Sequence, residues 1–162
     1  MTAADGTADA MVEGALAADA RARRVVDGML EADTFTGWLG AEVVEVGVRR
    51  CVLRMTVRDD MLNGVGTCHG GVTFGLADSA FAFACNAHGT VCVALDCTVS
   101  YPNAARVGDV LTATAEAELE PRRVGFFRVT VANAAGAIVA LFRGTSYDTR
   151  RPHAIDDALE PA

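Results

Sequence analysis

The chain has 162 residues, a length typical of one domain, and 51% of them are hydrophobic, which is enough for a substantial core. The net charge of −7 argues against general nucleic-acid binding. The sequence contains no run of 18 uninterrupted apolar residues, so we expect no membrane-spanning helix. The first twenty residues are acidic and contain no basic residue, unlike a secretory signal, so we expect a cytoplasmic protein.

The cysteine content indicates neither a disulfide framework nor a zinc site. The five cysteines are an odd number, and no two have Cys-x-x-Cys spacing. We therefore expect reduced, mostly packed thiols and no metal. The five are Cys51, Cys68, Cys85, Cys92 and Cys97.

The chain begins with small and acidic residues, and we expect residues 1–10 to form a frayed end. Apolar residues at helical spacing predict a helix over 11–32, and residues 33–39 have the composition of a connection. These boundaries suggest three parts, which are an N-terminal extension over 1–25 that is partly helical or disordered, a core domain over 26–150, and a polar tail over 151–162.

Alternating apolar and polar residues predict two strands before a central helix and four strands after it. The cleanest alternation places Leu111, Ala113, Ala115, Ala117 and Leu119 on one face of a half-buried strand. The last two strands are predicted to form a hairpin around residues 133–136. The predicted strands cover residues 41–46, 50–58, 91–101, 109–120, 124–133 and 137–147.

The central helix, predicted over 71–87, follows a glycine-rich turn and is apolar nearly all round. Such a helix is normally buried, and Asp78 inside it is costly unless it has a partner or a function. A mostly antiparallel sheet curled around this helix is the economical α+β solution, with the remaining helix surface covered by a second subunit.

Four segments resemble hotdog-fold acyl-CoA thioesterases of the phenylacetyl-CoA thioesterase (PaaI) type. The resemblance spans roughly residues 30–147 and rests on residues 61–64 (Met-Leu-Asn-Gly), 68–71 (Cys-His-Gly-Gly), 76–82 (Leu-Ala-Asp-Ser-Ala-Phe-Ala) and 140–144 (Ala-Leu-Phe-Arg-Gly). It implies a hotdog fold, hydrolysis of aryl-acyl-CoA thioesters such as phenylacetyl-CoA or hydroxyphenylacetyl-CoA, and a homotetramer built as a dimer of dimers. Coenzyme A would enter as part of the substrate, with no other cofactor.

The resemblance also implies residue roles. Asp78 would be the nucleophile or general base, and the backbone N–H of Gly70 or Gly71 would polarise the thioester carbonyl. Asn63 would position water or the acyl group. His69 would shape the turn near the thioester. Arginine suits the phosphates of coenzyme A, so we predict that Arg122, Arg123 and Arg143 bind them.

The spacing of the glycine turn and Asp78 makes a prediction of its own. Seven residues of helix separate Gly71 from Asp78, which is about 10 Å at 1.5 Å per residue. Groups that act on one thioester carbon and its oxygen must both lie near 3 Å from it. If both groups act in one site, they come from different subunits, whose central helices run side by side in opposite directions.

Alternative interpretations remain open at several positions. His69 could act as a base, or it could do no more than fix the turn. Asn63 could serve merely to build a turn with Gly64. Cys68 beside His69 suggests a nucleophilic cysteine, although sequence neighbours rarely form such a pair. The chain could also be an acyl-thioester dehydratase, which pairs a histidine and a carboxylate differently, or a non-enzymatic acyl-CoA-binding protein. Phe74, Phe81 and Phe83 could line an acyl pocket or belong to the core.

Overall fold

The computed structural model describes residues 3–154, with side chains from residue 13 onward. It contains three α-helices, one 3-10 turn and six strands within these residues. In chain order they are α1 Ala3–Ala32, α2 Thr34–Leu39, β1 Glu42–Gly47, β2 Arg50–Thr56, a 3-10 turn Asp59–Met61, α3 Gly70–Asn86, β3 Thr90–Ser100, β4 Val110–Leu119, β5 Val124–Asn133 and β6 Ile138–Pro152.

The six strands form one antiparallel sheet in the order β1-β2-β4-β5-β6-β3, and α3 packs against one face of it. Contacts from α3 reach every strand from β2 to β6, which confirms the predicted hotdog arrangement of a sheet around a central helix. The strand predicted over 50–58 is also confirmed as β2, and its Cys51, Leu53 and Met55 are buried in the core.

Two regions differ from the sequence-based prediction. They are the N-terminus and the connection predicted over 33–39. The first helix begins at Ala3, within the segment predicted to be frayed. The predicted connection over 33–39 contains the short helix α2, whose first turn is capped by the Asp33 carboxylate accepting from the Thr36 N–H. The Thr36 and Ser79 hydroxyls lie 2.7 Å apart, so α2 is fixed onto α3.

β-Bulges interrupt the alternation of two strands. Ala94 and Asp96 of β3 stand opposite consecutive residues of β6, so one extra residue enters β3 and the alternation changes face there. As a result Cys92 is buried, whereas Leu95 is 58% exposed. A similar bulge in β4 leaves Leu119 exposed rather than buried.

The C-terminal strand is longer than predicted. β6 continues to Pro152, and the next residue, His153, is held by its N–H donating to the Gly89 carbonyl and by a 2.7 Å contact between its Nε2 and the Asn86 Oδ1. His153 is therefore not part of a loose tail. The remainder of the predicted tail, 155–162, lies outside the described residues.

Candidate active site

The loop before α3 is built by Asn63. Its Oδ1 accepts from the backbone N–H groups of Val65 (3.0 Å) and Thr67 (3.2 Å), and its Nδ2 donates to the Thr67 Oγ1 (2.9 Å). An isolated bridge between Leu62 and Cys68 closes this loop. Asn63 thus fits the turn-building interpretation, with one amide proton left for another partner.

His69 is the N-cap of α3. Its Nδ1 accepts from the Gly71 N–H at 2.9 Å, so it satisfies one of the donors that a helix start leaves unpaired. In the neutral imidazole this contact places the proton on Nε2. His69 is exposed, so the Nε2–H can donate to a ligand beside the turn.

The Gly70 N–H is the backbone donor that remains available in this turn. The Gly71 N–H is occupied by His69, whereas the Gly70 N–H has no hydrogen-bond acceptor among the described residues. The Gly70 carbonyl accepts from the Tyr101 hydroxyl at 3.0 Å, which fixes the plane of the following peptide. A free N–H at the first turn of a helix is suited to bind developing negative charge.

A cleft of about 260 Å³ lies beside this turn. Asn63, Gly70 and Tyr101 are among its lining residues, together with Thr73 of α3 and Val139 of β6. Asp78 is not part of this lining. The structure therefore joins Asn63 and Gly70 in one cleft and leaves Asp78 elsewhere on the same helix.

Asp78 lies half-buried on α3, and its Oδ1 is 3.8 Å from the Cys97 thiol of β3. Burial raises the pKa of the Asp78 carboxyl above its usual value, and the Cys97 hydrogen bond acts in the opposite direction. The neighbouring Ser79 instead bonds Thr36. Within the described residues, Asp78 has no hydrogen bond to a serine or to backbone that would make it a structural carboxylate.

One stripe of α3 stays incompletely covered. Gly71, Phe74, Asp78 and Ala82 follow helical spacing, and each retains solvent exposure, whereas the rest of the helix after Gly71 is buried. Asp78 is therefore on the part of the helix that the protein's own sheet covers only in part.

The strand beside this stripe is a sheet edge. β3 is 11 residues long and pairs only with β6 in the described sheet, so its other side offers unpaired backbone groups. Val93 and Leu95 of this strand are 46% and 58% exposed. A long apolar edge strand is a template for pairing with another chain.

The three predicted phosphate ligands lie in two separate places. Arg122 and Arg123 form the β4–β5 turn, where the Arg123 guanidinium stacks over Tyr147 at 5.1 Å from the ring centre. Arg143 is in β6, 70% exposed, and its NH1 is 3.2 Å from the Glu118 carboxylate. The structure thus does not gather the three arginines into one cluster.

The structure gives no support to a Cys68–His69 pair. The Cys68 thiol contacts the Thr73 hydroxyl (3.7 Å) and the His69 carbonyl, while the His69 ring is directed to Gly71. Burial raises the pKa of the Cys68 thiol, which keeps it protonated. All five cysteines are free thiols in the structure. The predicted packing is confirmed for four of them, which are buried, whereas Cys97 is half-buried.

A polar cluster at the far end of α3 was missed by the sequence reasoning. His88, Cys92 and Asp148 have potential ligand atoms within 4.8 Å of one another. The Arg49 guanidinium contacts the His88 Nδ1 at 2.8 Å, and burial, followed by Arg49, lowers the pKa of His88. Because Arg49 can only donate, the His88 proton lies on Nε2, the atom that would face a metal, so the cluster forms a hydrogen-bond network instead.

Comparison with known proteins identifies the family to which this chain is related. The sequence profile of the thioesterase superfamily matches residues 65–140. Acyl-coenzyme A thioesterase PaaI of Escherichia coli (strain K12) is 40% identical over 119 residues, which are 74% of this chain and 85% of that protein. Human acyl-coenzyme A thioesterase 13 is 30% identical over 129 residues, which are 77% of this chain and 92% of that protein.

Solved structures agree with these sequence matches. The structure of the E. coli PaaI protein from the phenylacetic acid degradation operon superimposes with a TM-score of 0.81 at 36% identity and covers 83% of this chain and 97% of that one. A hypothetical thioesterase from Streptococcus pneumoniae, solved with coenzyme A, has a TM-score of 0.67 at 26% identity and covers 70% and 91%. Within residues 3–154, none of the helices has the length and apolar character that crossing a membrane requires.

Proposed function

The chain belongs to the thioesterase superfamily, and from that premise we propose that it hydrolyses acyl-CoA thioesters to a free acid and coenzyme A. The observation that carries the proposal is the Gly70 N–H, which stands without an acceptor in the described residues at the start of α3. Removal of one such donor in comparable sites costs about 2.7–4 kcal/mol of transition-state stabilisation.

The Gly70 amide binds the carbonyl oxygen of the thioester as negative charge develops on it. The dipole of α3 adds to this effect, and the His69 Nε2–H is a second donor beside the same turn. If Asp78 is the general base, it takes a proton from water as the water oxygen adds to the carbonyl carbon. The carbon–sulfur bond then breaks, and the proton passes to the leaving thiolate of coenzyme A. If Asp78 is the nucleophile, its carboxylate adds to the carbonyl carbon and expels the thiolate, and water then hydrolyses the resulting anhydride to the free acid and the Asp78 carboxylate.

Each site takes its Asp78 from a second copy of the chain. Eight residues of helix separate Gly70 from Asp78, or about 12 Å along the axis, so one protomer does not bring both to one carbon. The partly covered stripe of α3 and the unpaired edge of β3 support a two-fold dimer in which two copies of α3 run antiparallel. Two such dimers would form the tetramer.

The acyl group is aryl-acetyl in this proposal, of the phenylacetyl or hydroxyphenylacetyl type. The relation to E. coli PaaI supports it, and so does Phe74, which is half-buried on the partly covered stripe one turn before Asp78. Phe81 and Phe83 are each only 1% exposed and belong to the core, so they do not contribute to an acyl pocket.

Arg143 is the best placed of the three arginines for a phosphate of coenzyme A. It is exposed, faces Arg128 across the β5–β6 pair, and lines a surface cleft of about 350 Å³ with Thr98 and Ser100. Arg122 and Arg123 lie at a different part of the sheet and would contact a different part of the substrate. The proposal requires no cofactor beyond the coenzyme A of the substrate itself.

The test is thiol release from a series of acyl-CoA substrates by three proteins. Asp78→Asn removes the carboxylate, and we expect at least a hundredfold loss of kcat with the fold retained. Gly70→Pro removes the N–H and keeps the helix start, because proline suits the first position of a helix and His69 already has the extended backbone that precedes proline; its Cβ lies 3.3 Å from the Tyr101 ring. Gly70→Ala, which keeps the N–H, is its matched control.

Three outcomes contradict the proposal. One is near-full hydrolysis by Asp78→Asn. Another is wild-type protein that releases no thiol but hydrates an enoyl thioester, which would assign the site to a dehydratase. Tight binding of acyl-CoA without turnover of any substrate would assign it to a binding protein.

A further inference from the structure

Cys97 is the one polar side chain of the described residues that contacts Asp78. It lies in the second half of β3, after the bulge that turns this part of the strand toward α3. Its partner on β6 is Gly144, which has no side chain because any Cβ there would come within 2.8 Å of the Phe81 ring. The thiol is thus held on the helix-facing side of the sheet, 3.8 Å from the Asp78 Oδ1.

The Cys97 thiol is a hydrogen-bond donor and not a nucleophile. Burial raises its pKa to about 11, with further contributions from the nearby carboxylates of Asp78 and Asp96. At neutral pH the thiol therefore keeps its proton, and the attacking thiolate form is scarce. A protonated thiol next to a carboxylate donates to it.

We propose that Cys97 is a positioning residue for Asp78, holding Oδ1 through its S–H so that Oδ2 is presented to water or to the thioester. This inference rests on the proposed thioesterase function, in which Asp78 is the acting carboxylate. The contact also favours the charged form of the carboxylate, which the reaction needs.

Among the described residues, no charged side chain on the elements around α3 acts on the Asp78 carboxyl in place of the Cys97 thiol. In the described protomer, the only influences on the Asp78 pKa are burial, which raises it, and Cys97, which lowers it. Asp96, on the same strand as Cys97, acts on the thiol. When the donor is removed, burial acts alone and the Asp78 pKa rises, so activity should be lost at a higher pH on the acid side.

The experiment compares Cys97→Ala with Cys97→Ser across pH. We expect alanine to move the acid limb of kcat/KM upward by roughly 0.5–1 pH unit and to lower kcat/KM about three- to tenfold near that limb. Serine retains a donor, so it should keep the limb within about 0.3 unit of the wild type. Cys92→Ala removes another thiol of β3 that has no contact with Asp78, and it should leave the limb in place.

A direct readout separates this inference from the proposed function. Carbon-13 NMR titration of the Asp78 carboxyl, assigned by its absence in Asp78→Asn, measures its pKa without turnover. A higher pKa in Cys97→Ala supports the positioning role even if the wild type hydrolyses no thioester, which would contradict only the proposed function. An Asp78 pKa that stays within about 0.2 unit in Cys97→Ala overturns the role of Cys97, whatever the activity.

Discussion

At the scale of single residues, His69 combines a structural and a chemical role through its two ring nitrogens. Its Nδ1 caps α3 by accepting from the Gly71 N–H, which leaves the Nε2–H for a ligand. The capping role is shared with other polar residues, whereas the exposed second donor is specific to the imidazole. Substitutions that keep one role and remove the other can therefore separate them.

We predict that His69→Ala lowers the free energy of unfolding by about 1 kcal/mol, the usual cost of a lost N-cap. His69→Asn retains an acceptor for the Gly71 N–H and should restore most of that stability. Both variants lose the imidazole donor, so we expect both to lose roughly tenfold in kcat/KM. Urea unfolding and thioester hydrolysis measure the two effects, and full activity in His69→Asn would reduce His69 to a cap.

Asp78 leads to a second prediction, which concerns stability and pH. Burial raises its folded pKa above the usual 3.8, so the folded protein binds this proton more tightly than the unfolded chain does. The resulting stabilisation is fully present below the unfolded pKa and is lost as the pH rises through the folded pKa. Asparagine resembles the protonated form.

Asp78→Asn should therefore be more stable than the wild type at pH 7 and equally stable at about pH 3. Thermal unfolding at both pH values measures the difference. A variant that is less stable at pH 7 would mean that the carboxylate is held by partners that favour its charge, such as donors from a second subunit.

The residues of the candidate site could be named from the sequence, but the role of each residue in the site could not be predicted. The motif indicated Gly70 or Gly71 as the donor, and only the His69 contact shows that the Gly71 N–H is occupied. Cys97 was treated as one of five packed thiols, because no local pattern reveals that a strand residue meets a carboxylate 19 positions earlier in the chain.

At the scale of elements, the sheet and the central helix were predictable because their periodicities are strong. The helix α3 and all six strands lie within a few residues of the predicted ranges, apart from the longer β6. The buried faces of β3 and β4 were only partly predictable, because a bulge inserts one residue and reverses the alternation after it. The short helix α2 has too few residues to show a periodicity.

The packing of α3 on β6 gives a third prediction. A Cβ at Gly144 would lie 2.8–2.9 Å from three atoms of the Phe81 ring. That ring is buried and packed between Phe127 and Phe142, at centroid distances of 5.4 and 5.7 Å. It cannot move aside easily, so Gly144→Ala should lower the free energy of unfolding by roughly 1–3 kcal/mol.

Gly37→Ala is the matched control for this substitution, since nothing lies within 4 Å of a Cβ placed there. Gly37 is inside α2, where alanine should stabilise the helix by about 0.5–1 kcal/mol. Denaturant unfolding of the two variants measures both effects. Equal stability of Gly144→Ala and the wild type would show that α3 can shift away from the sheet.

At the scale of the whole molecule, the described protomer is incomplete as a catalyst in the proposed function. Its donor turn and its carboxylate lie on one helix, α3, and the stripe that bears the carboxylate is only partly covered by the protomer's own sheet. In the proposed dimer, a two-fold partner would supply the missing group to each site and receive the same group in return. This reciprocity can be tested by mixing defective proteins.

Gly70→Pro and Asp78→Asn are each expected to be inactive alone, because every site of either dimer lacks one group. In a mixed dimer, one site has an intact Gly70 turn from the Asp78→Asn protomer and an intact carboxylate from the Gly70→Pro protomer, and the other site has neither. Random exchange of equal amounts makes half of the dimers mixed, so we predict recovery of roughly a quarter of wild-type activity. The measurement is thiol release after the two variants are unfolded and refolded together, with separately refolded variants as the control. If the mixture stays as inactive as its components although mixed dimers are detected by mass spectrometry, the two groups act within one protomer and the shared site is wrong.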